Sequence, residues 1–214
     1  AFAAIPATVT FLELGYNDLG NKSGAELAQI FANIPTSVTS LSLCNINLGD
    51  KTGEELAQAL AAIPATVTRL DLSWNKLGEK TGAELALAFA AIPTTVTSLN
   101  LSGNGLDNKT GAELAQAFAA IPPSVTSLDL SGNDLSMDNI WQLLPETIST
   151  IVINKKEHHC NRNIILNYIK SSLSSDLSAS LIPLEAIKLP FDVAEGNLNL
   201  IFIKDRLPMA CTSE

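Results

Sequence analysis

Val9, Val38, Val67, Val96 and Val125 each begin the same phrase, and every interval between them is 29 residues. One short strand and one helix cannot bury their apolar faces alone, so a period of this length commits the chain to a stack of near-identical units that cover one another. The phrase reads Val-Thr-x-Leu-x-Leu-x-x-Asn-x-Leu, then a polar turn, then Gly-Ala-Glu-Leu-Ala-Gln-Ala-Phe-Ala-Ala-Ile-Pro with small variations. In its first half Leu12 and Leu14 alternate with Phe11, Glu13 and Gly15, the period of two that sends one set inward from a short strand. In its second half Leu27, Phe31 and Ile34 recur as Leu56, Leu60, Ile63, as Leu85, Phe89, Ile92 and as Leu114, Phe118, Ile121, spacings that lay one apolar stripe along a helix.

Punctuation agrees with that reading. Ser23 with Glu26, Thr52 with Glu55, Thr81 with Glu84 and Thr110 with Glu113 each have the spacing of a reciprocal capping box, which predicts four helix starts. Pro35, Pro64, Pro93 and Pro122 lack a backbone donor and push the residue before them out of helical geometry, which predicts helix ends at Ile-Pro.

The residues Leu12, Leu14, Asn17 and Leu19, with their counterparts through Leu128, Leu130, Asn133 and Leu135, resemble the leucine-rich-repeat family, in particular the ribonuclease-inhibitor-like class with long helical repeats. The resemblance implies an α/β fold, a horseshoe-shaped solenoid with a parallel concave sheet and convex helices, over residues 1–154. Residues 155–214 lose the repeat and are expected to form a divergent C-terminal cap or a small appended domain. Within them a helix is expected over Asn161–Leu173, a serine-rich loop over Ser171–Ser180 and a further strand or buried segment over Leu198–Ile203. A shortened helix near Asp138–Leu144 and a strand from Ile148 to Ile153 should precede them. Residues 1–6 repeat residues 117–122 letter for letter, so the chain is expected to open in the middle of a helix of a preceding repeat, either as a fragment of a longer protein or with its open first repeat covered by a second copy.

The asparagine of each repeat, Asn17, Asn75, Asn104 and Asn133, is expected to be structural, an inward amide serving the backbone of neighbouring turns. The second repeat has Ile46 in that place, between Asn45 and Asn47. Either a neighbouring asparagine substitutes or the ladder lacks a rung there.

Composition narrows the partners. With 13 basic against 22 acidic residues the formal charge is −9, so nucleic acid is not an expected partner. No run of about 18 apolar residues appears and no charged-then-apolar leader opens the chain, so neither a membrane span nor a secretory signal is expected. Cys44, Cys160 and Cys211 are odd in number and far apart, which suits free thiols. His158-His159-Cys160 is the one cluster of metal-binding or nucleophilic types. A structural zinc site needs a second pair, and neighbours in a chain rarely face one another, so a surface turn is expected there rather than a metal or cysteine chemistry using Glu157. No cofactor is expected. Lys22, Lys51, Lys80 and Lys109 should stack along one edge, neutralised by Asp50 and Glu79, which precede two of them, and by the capping glutamates nearby.

The positions that the repeat leaves free carry the functional signal. Most strand residues facing the concave side are small and polar, and against them Phe11, Glu13, Arg69 and Asp71, with Asn100 and Asp129 and the adjoining Tyr16 and Trp74, stand out as a partner-binding set. Tyr16 and Trp74 share one repeat position two units apart, about 10 Å between backbones at the strand spacing. Grouped tryptophan, tyrosine and arginine mark interface hot spots. The competing reading is that Phe11 covers a preceding repeat and Trp74 packs over its own turn. The uniform Ala-Glu-Leu-Ala repeats with Ile-Pro closures also resemble those of effectors secreted by intracellular bacterial pathogens, a resemblance that implies host protein targets and delivery into the host cytoplasm, with a cytoplasmic protein as the alternative. An effector enzyme, a cysteine-dependent ligase or transferase with its activity in the C-terminal region, is the second reading.

Overall fold

The computed structural model of the chain describes residues 5–135, 140, 142–153, 156–160, 201–203, 206–209 and 211–213, the last four segments by backbone alone. Strands β1 (Phe11–Glu13), β2 (Ser40–Ser42), β3 (Arg69–Asp71), β4 (Ser98–Asn100), β5 (Ser127–Asp129) and β6 (Thr150–Ile153) form a parallel sheet in chain order. Each pairs with the next in fixed register, so that Leu12, Leu41, Leu70, Leu99, Leu128 and Ile151 lie side by side. Helices α1 (Gly24–Ala32), α2 (Gly53–Ala61), α3 (Gly82–Ala90) and α4 (Gly111–Ala119) pack against one another on the other side. Between the layers, Leu27, Phe31, Leu56, Leu60, Leu85, Phe89, Leu114 and Phe118 are buried with the strand leucines and with Val38, Val67, Val96 and Val125 in one continuous core. Helices are wider than strands, so the strand layer is the concave one.

All four capping boxes are present, the hydroxyl accepting from the glutamate amide and the glutamate accepting from the cap amide. The helix ends differ from the expectation. Each helix closes at alanine, with its C-cap one residue before the Ile-Pro step. Proline disfavours helical geometry at the residue before it, and Ile34, Ile63, Ile92 and Ile121 instead drop into the core while their amides donate to the phenylalanine or leucine carbonyl three residues back. The freed proline carbonyl then accepts from the valine amide that begins the next phrase, as in Val38 N to Pro35 O at 3.0 Å.

The glutamates of the boxes also join neighbouring helices. Glu55 accepts from Thr52 N through Oε2 and from Gly24 N of the preceding helix through Oε1 at 3.0 Å. These amide bonds hold its carboxyl below the usual carboxylate range, Gly24 first and Thr52 second. Glu26, Glu84 and Glu113 are lowered likewise, chiefly by the backbone amides of Ser23, Thr81 and Thr110. A carboxylate whose folded pKa lies below its unfolded value of about 4.3 contributes stability that is complete above that value and is lost as the pH falls through the folded pKa. Glu55→Gln offers one acceptor oxygen where two are used, so its melting temperature should fall below the parent's at pH 7, and the gap should close towards about pH 3. A gap independent of pH would show that the charge is not what matters.

Glycine at the first helical position makes the close stacking possible. A Cβ on Gly82 would lie 2.8 Å from Glu113 Cα and 2.9 Å from its Cβ, whereas at Gly111 nothing among the described residues lies within 4 Å. Gly82→Ala should therefore destabilise by about 2 kcal/mol through overpacking against backbone. Gly111→Ala should gain about 0.5 to 1 kcal/mol from the helix preference for alanine. Urea unfolding of both variants checks this; equal effects would contradict the stacking geometry.

The asparagine ladder runs through the third, fourth and fifth repeats. Asn104 Oδ1 accepts from Asn75 N at 2.9 Å and Leu77 N at 3.3 Å, while its amide nitrogen donates to Leu72 O and Leu101 O. Asn75 and Asn133 repeat the pattern, and all three are buried. Asn17, at the first repeat, is exposed and bonds only to its own turn, at Leu14 O and Gly15 O. Of the two readings of the second repeat, the missing rung is the one found: Ile46 is fully buried in the core and neither neighbouring asparagine replaces its amide. The Leu19 amide turns instead to Asn17 O at 2.7 Å, and the 3-10 turn there has four residues, Asp18–Asn21, where later repeats have three.

At the C-terminal side, Ile140, Gln142 and Leu143 are helical. Strand β7 (Lys156–Cys160) pairs antiparallel with β6, and β10 (Cys211–Ser213) pairs antiparallel with β7, extending the same sheet. The surface turn expected at His158-His159-Cys160 is thus a strand, because pairing with β6 imposes extended backbone on residues of little β preference. The segment expected at Leu198–Ile203 includes β8 (Ile201–Ile203), antiparallel to β9 (Arg206–Met209). The helix expected over Asn161–Leu173 and the loop over Ser171–Ser180 lie outside the described residues. Among the described residues no helix is long and apolar enough to cross a membrane.

Candidate binding face

The strand register brings the candidate residues into two rows across the sheet. Phe11, Ser40, Arg69, Ser98 and Ser127 form one, and Glu13, Ser42, Asp71, Asn100 and Asp129 the other. Over β1 to β4 the rows border an open trough of about 210 Å³ whose lining includes Phe11, Glu13, Ser42, Arg69, Asp71 and Asn100. Arg69 is exposed at one rim, and neither ion pair among the described residues, Lys22 with Glu26 or Lys109 with Glu113, involves it. Along the lysine edge, Lys22 and Lys109 pair with the capping glutamates Glu26 and Glu113, and Lys80 Nζ donates to Lys51 O at 2.9 Å.

The acidic row has a structural duty that residue type alone does not reveal. Asp71 Oδ1 accepts from Ser73 N, Asn100 Oδ1 from Ser102 N and Asp129 Oδ1 from Ser131 N, at 2.8–2.9 Å, and Glu13 Oε1 accepts from Gly15 N at 2.7 Å. One oxygen of each side chain pins the turn after its strand, and that bond leaves out the second carboxylate oxygen of Glu13, Asp71 and Asp129 and the amide nitrogen of Asn100. The signal was present in the letters, as an acid or amide two residues before Gly15, Ser73, Ser102 and Ser131.

Beyond the acidic row lies the ledge. Tyr16, Asn45, Trp74, Gly103 and Gly132 occupy one repeat position, and all five have left-handed backbone, with φ from 51° to 66°. The amides of the first four hold that turn by donating across to the next repeat, as in Tyr16 N to Cys44 O and Trp74 N to Ser102 O. Glycine suits this conformation, and an aromatic residue there costs about 1 kcal/mol or more. Yet Tyr16 is 75% exposed, Trp74 59% and Phe11 56%, so these rings are presented to solvent rather than buried. Trp74 rests on its neighbour: a Cβ on Gly103 would stand 2.7 Å from the indole Cδ2 and Cε2, so one ring face is seated on the glycine backbone. The Tyr16 phenol is held above its usual range, first by a side-chain hydrogen bond with Cys44 and further by the charges of Glu13 and Asp71.

The small polar residues of the floor are not all open to solvent. Cys44, Ser42 and Ser73 are buried, and the Ser42 hydroxyl has no hydrogen-bond partner. Of the C-terminal candidates, β7 and β10 place Cys211 opposite Cys160.

The Leucine Rich repeat family model matches residues 6–28, 64–86, 93–115 and 122–136. The repeat it passes over is the one with Ile46 in the asparagine place. Among solved structures, the chain is similar to LegL7, a leucine-rich repeat-containing protein from Legionella pneumophila, at 44% identity and a TM-score of 0.67, over 70% of this chain and 49% of that one. The chain thus spans about half the length of that relative. No curated protein matches it.

Proposed function

We propose, from the premise that this chain is a leucine-rich-repeat protein, that it is a scaffold whose concave strand face and adjoining ledge bind a protein of a eukaryotic host, and that it acts as a secreted bacterial effector. The single observation behind the choice of face is the pair of exposed aromatic residues, Tyr16 and Trp74, held in left-handed backbone where later repeats have glycine. Strained residues persist where the structure around them over-determines the conformation, and they gather at functional sites. Phe11 and Arg69, also exposed, extend the patch along the opposite rim of the trough. The effector role rests on the likeness to a Legionella pneumophila repeat protein and on the resemblance of the repeats to those of pathogen effectors. The antiparallel strands β7 and β10 continue the sheet past β6, in keeping with a capping role for the C-terminal region.

Affinity capture from host-cell lysate, read by mass spectrometry, tests the proposal. Trp74→Ala and Arg69→Ala should each release the captured protein while leaving the melting temperature near that of the parent. Capture unchanged by both, or lost only together with folding, would reject this face.

A further inference from the structure

We infer that the ledge recognises basic side chains, so that the partner presents two arginines or lysines about 10 Å apart, one to Trp74 with Asp71 and one to Tyr16 with Glu13. This rests on the binding reading above and specifies its chemistry.

Each half of the site pairs an exposed ring with a carboxylate three residues earlier, and the pairing occurs in the first and third repeats alone among the five: the second has Ser42 and Asn45, the fourth Asn100 and Gly103, the fifth Asp129 and Gly132. The carboxylates are not free to swing. Glu13 Oε1 and Asp71 Oδ1 are fixed by the amides of Gly15 and Ser73, the residue immediately before the aromatic one in each case, which anchors the charge at the turn that carries the ring. An aromatic face and an oriented carboxylate together favour a guanidinium or ammonium group. One face of Trp74 is taken by Gly103, which leaves the other for a ligand. Two strand spacings separate the two halves, about 10 Å, a distance that two basic residues three apart span on one face of a polyproline II segment, which has three residues per turn and rises about 3.1 Å per residue. Between the halves, the unpartnered hydroxyl of Ser42, a residue only 3% exposed, lines the trough and awaits a polar group of the bound segment. Arg69 lies five residues before Trp74, at the far end of β3, so it repels a cation from that rim and orients the segment with its basic residues towards the ledge. The formal charge of −9 favours the approach of a basic partner.

The fourth repeat supplies the control. Asn100 makes the same turn bond as Asp71 without the charge, so Asp71→Asn and Glu13→Gln remove charge and keep the fold. The experiment titrates acetyl-Arg-Gly-Ser-Arg-amide into the protein at low salt, following the fluorescence of Trp74 in a Trp141→Phe background, which leaves one tryptophan. The indole N–H resonances of the unsubstituted chain provide the second readout should that background not fold. A saturable change is expected with the arginine peptide and none with acetyl-Glu-Gly-Ser-Glu-amide, and binding should weaken about tenfold in Asp71→Asn and with added salt. No saturable change, an equal response to the glutamate peptide, or undiminished binding in both charge variants would overturn the inference. If a captured host protein needs Trp74 but binds Glu13→Gln and Asp71→Asn normally, the binding face stands and its preference for cations falls. If Trp74 substitution leaves capture untouched while the arginine peptide still binds, the face fails as the host-protein site and the cation site stands.

Discussion

Asn104→Ala is expected to destabilise the chain by about 4 kcal/mol, since each buried group left without a partner costs roughly 1 to 3 kcal/mol. The side chain is 2% exposed, and removing it strands the amides of Asn75 and Leu77 and takes a donor from the carbonyls of Leu72 and Leu101. For a domain of this size the melting temperature should fall by about 10 °C. Asn17→Ala removes two exposed bonds within one turn and should cost under about 1 kcal/mol. Thermal and urea unfolding of the two variants gives the comparison directly. Similar losses at both positions would mean that the ladder is not what holds the turns together. In a solenoid a defect is felt mainly by adjoining units, so hydrogen exchange in Asn104→Ala should rise most in the turns at residues 72–77 and 101–106.

The second large effect concerns the ledge. Trp74→Gly restores the residue that Gly103 and Gly132 place in the same left-handed turn. The substitution relieves backbone strain of about 1 kcal/mol and gives up the indole's contact with Gly103, so net stability should stay within about 1 kcal/mol of the parent. Trp74→Ala keeps the strain and loses the same contact, and should be the less stable of the two. Partner capture should nevertheless weaken by about 30-fold in both, the factor for a hot-spot residue worth about 2 kcal/mol. Glycine more stable than alanine with both deficient in capture would separate recognition from folding at a single position. A ring required for folding would instead show the two losses moving together.

The repeat made the architecture legible because the same letters recur in every unit, and capping boxes and strand alternation are local patterns. Other features depend on neighbours and could not be read that way. The helices end ahead of Ile-Pro because isoleucine gains more by entering the core than by continuing the helix. Ile46 leaves a gap in the ladder because a buried side chain fits there as well as an amide. The carboxylates of Asp71 and Asp129 look free in sequence and are half engaged in the structure. The left-handed backbone of Tyr16 and Trp74 was legible in principle, since Gly103 and Gly132 stand in the same register, but only once that position was compared across all five repeats. At His158-His159-Cys160 nothing local indicates a strand, and the pairing with β6 decides it.

Hydroxyl-radical footprinting of the protein with and without its captured partner tests the central claim most directly. Bound partner should protect Trp74, Tyr16 and Phe11 on the strand side and leave Leu87, exposed on α3, as reactive as before. Protection of Leu87 with Trp74 and Tyr16 unchanged would place the partner on the helices and contradict the account.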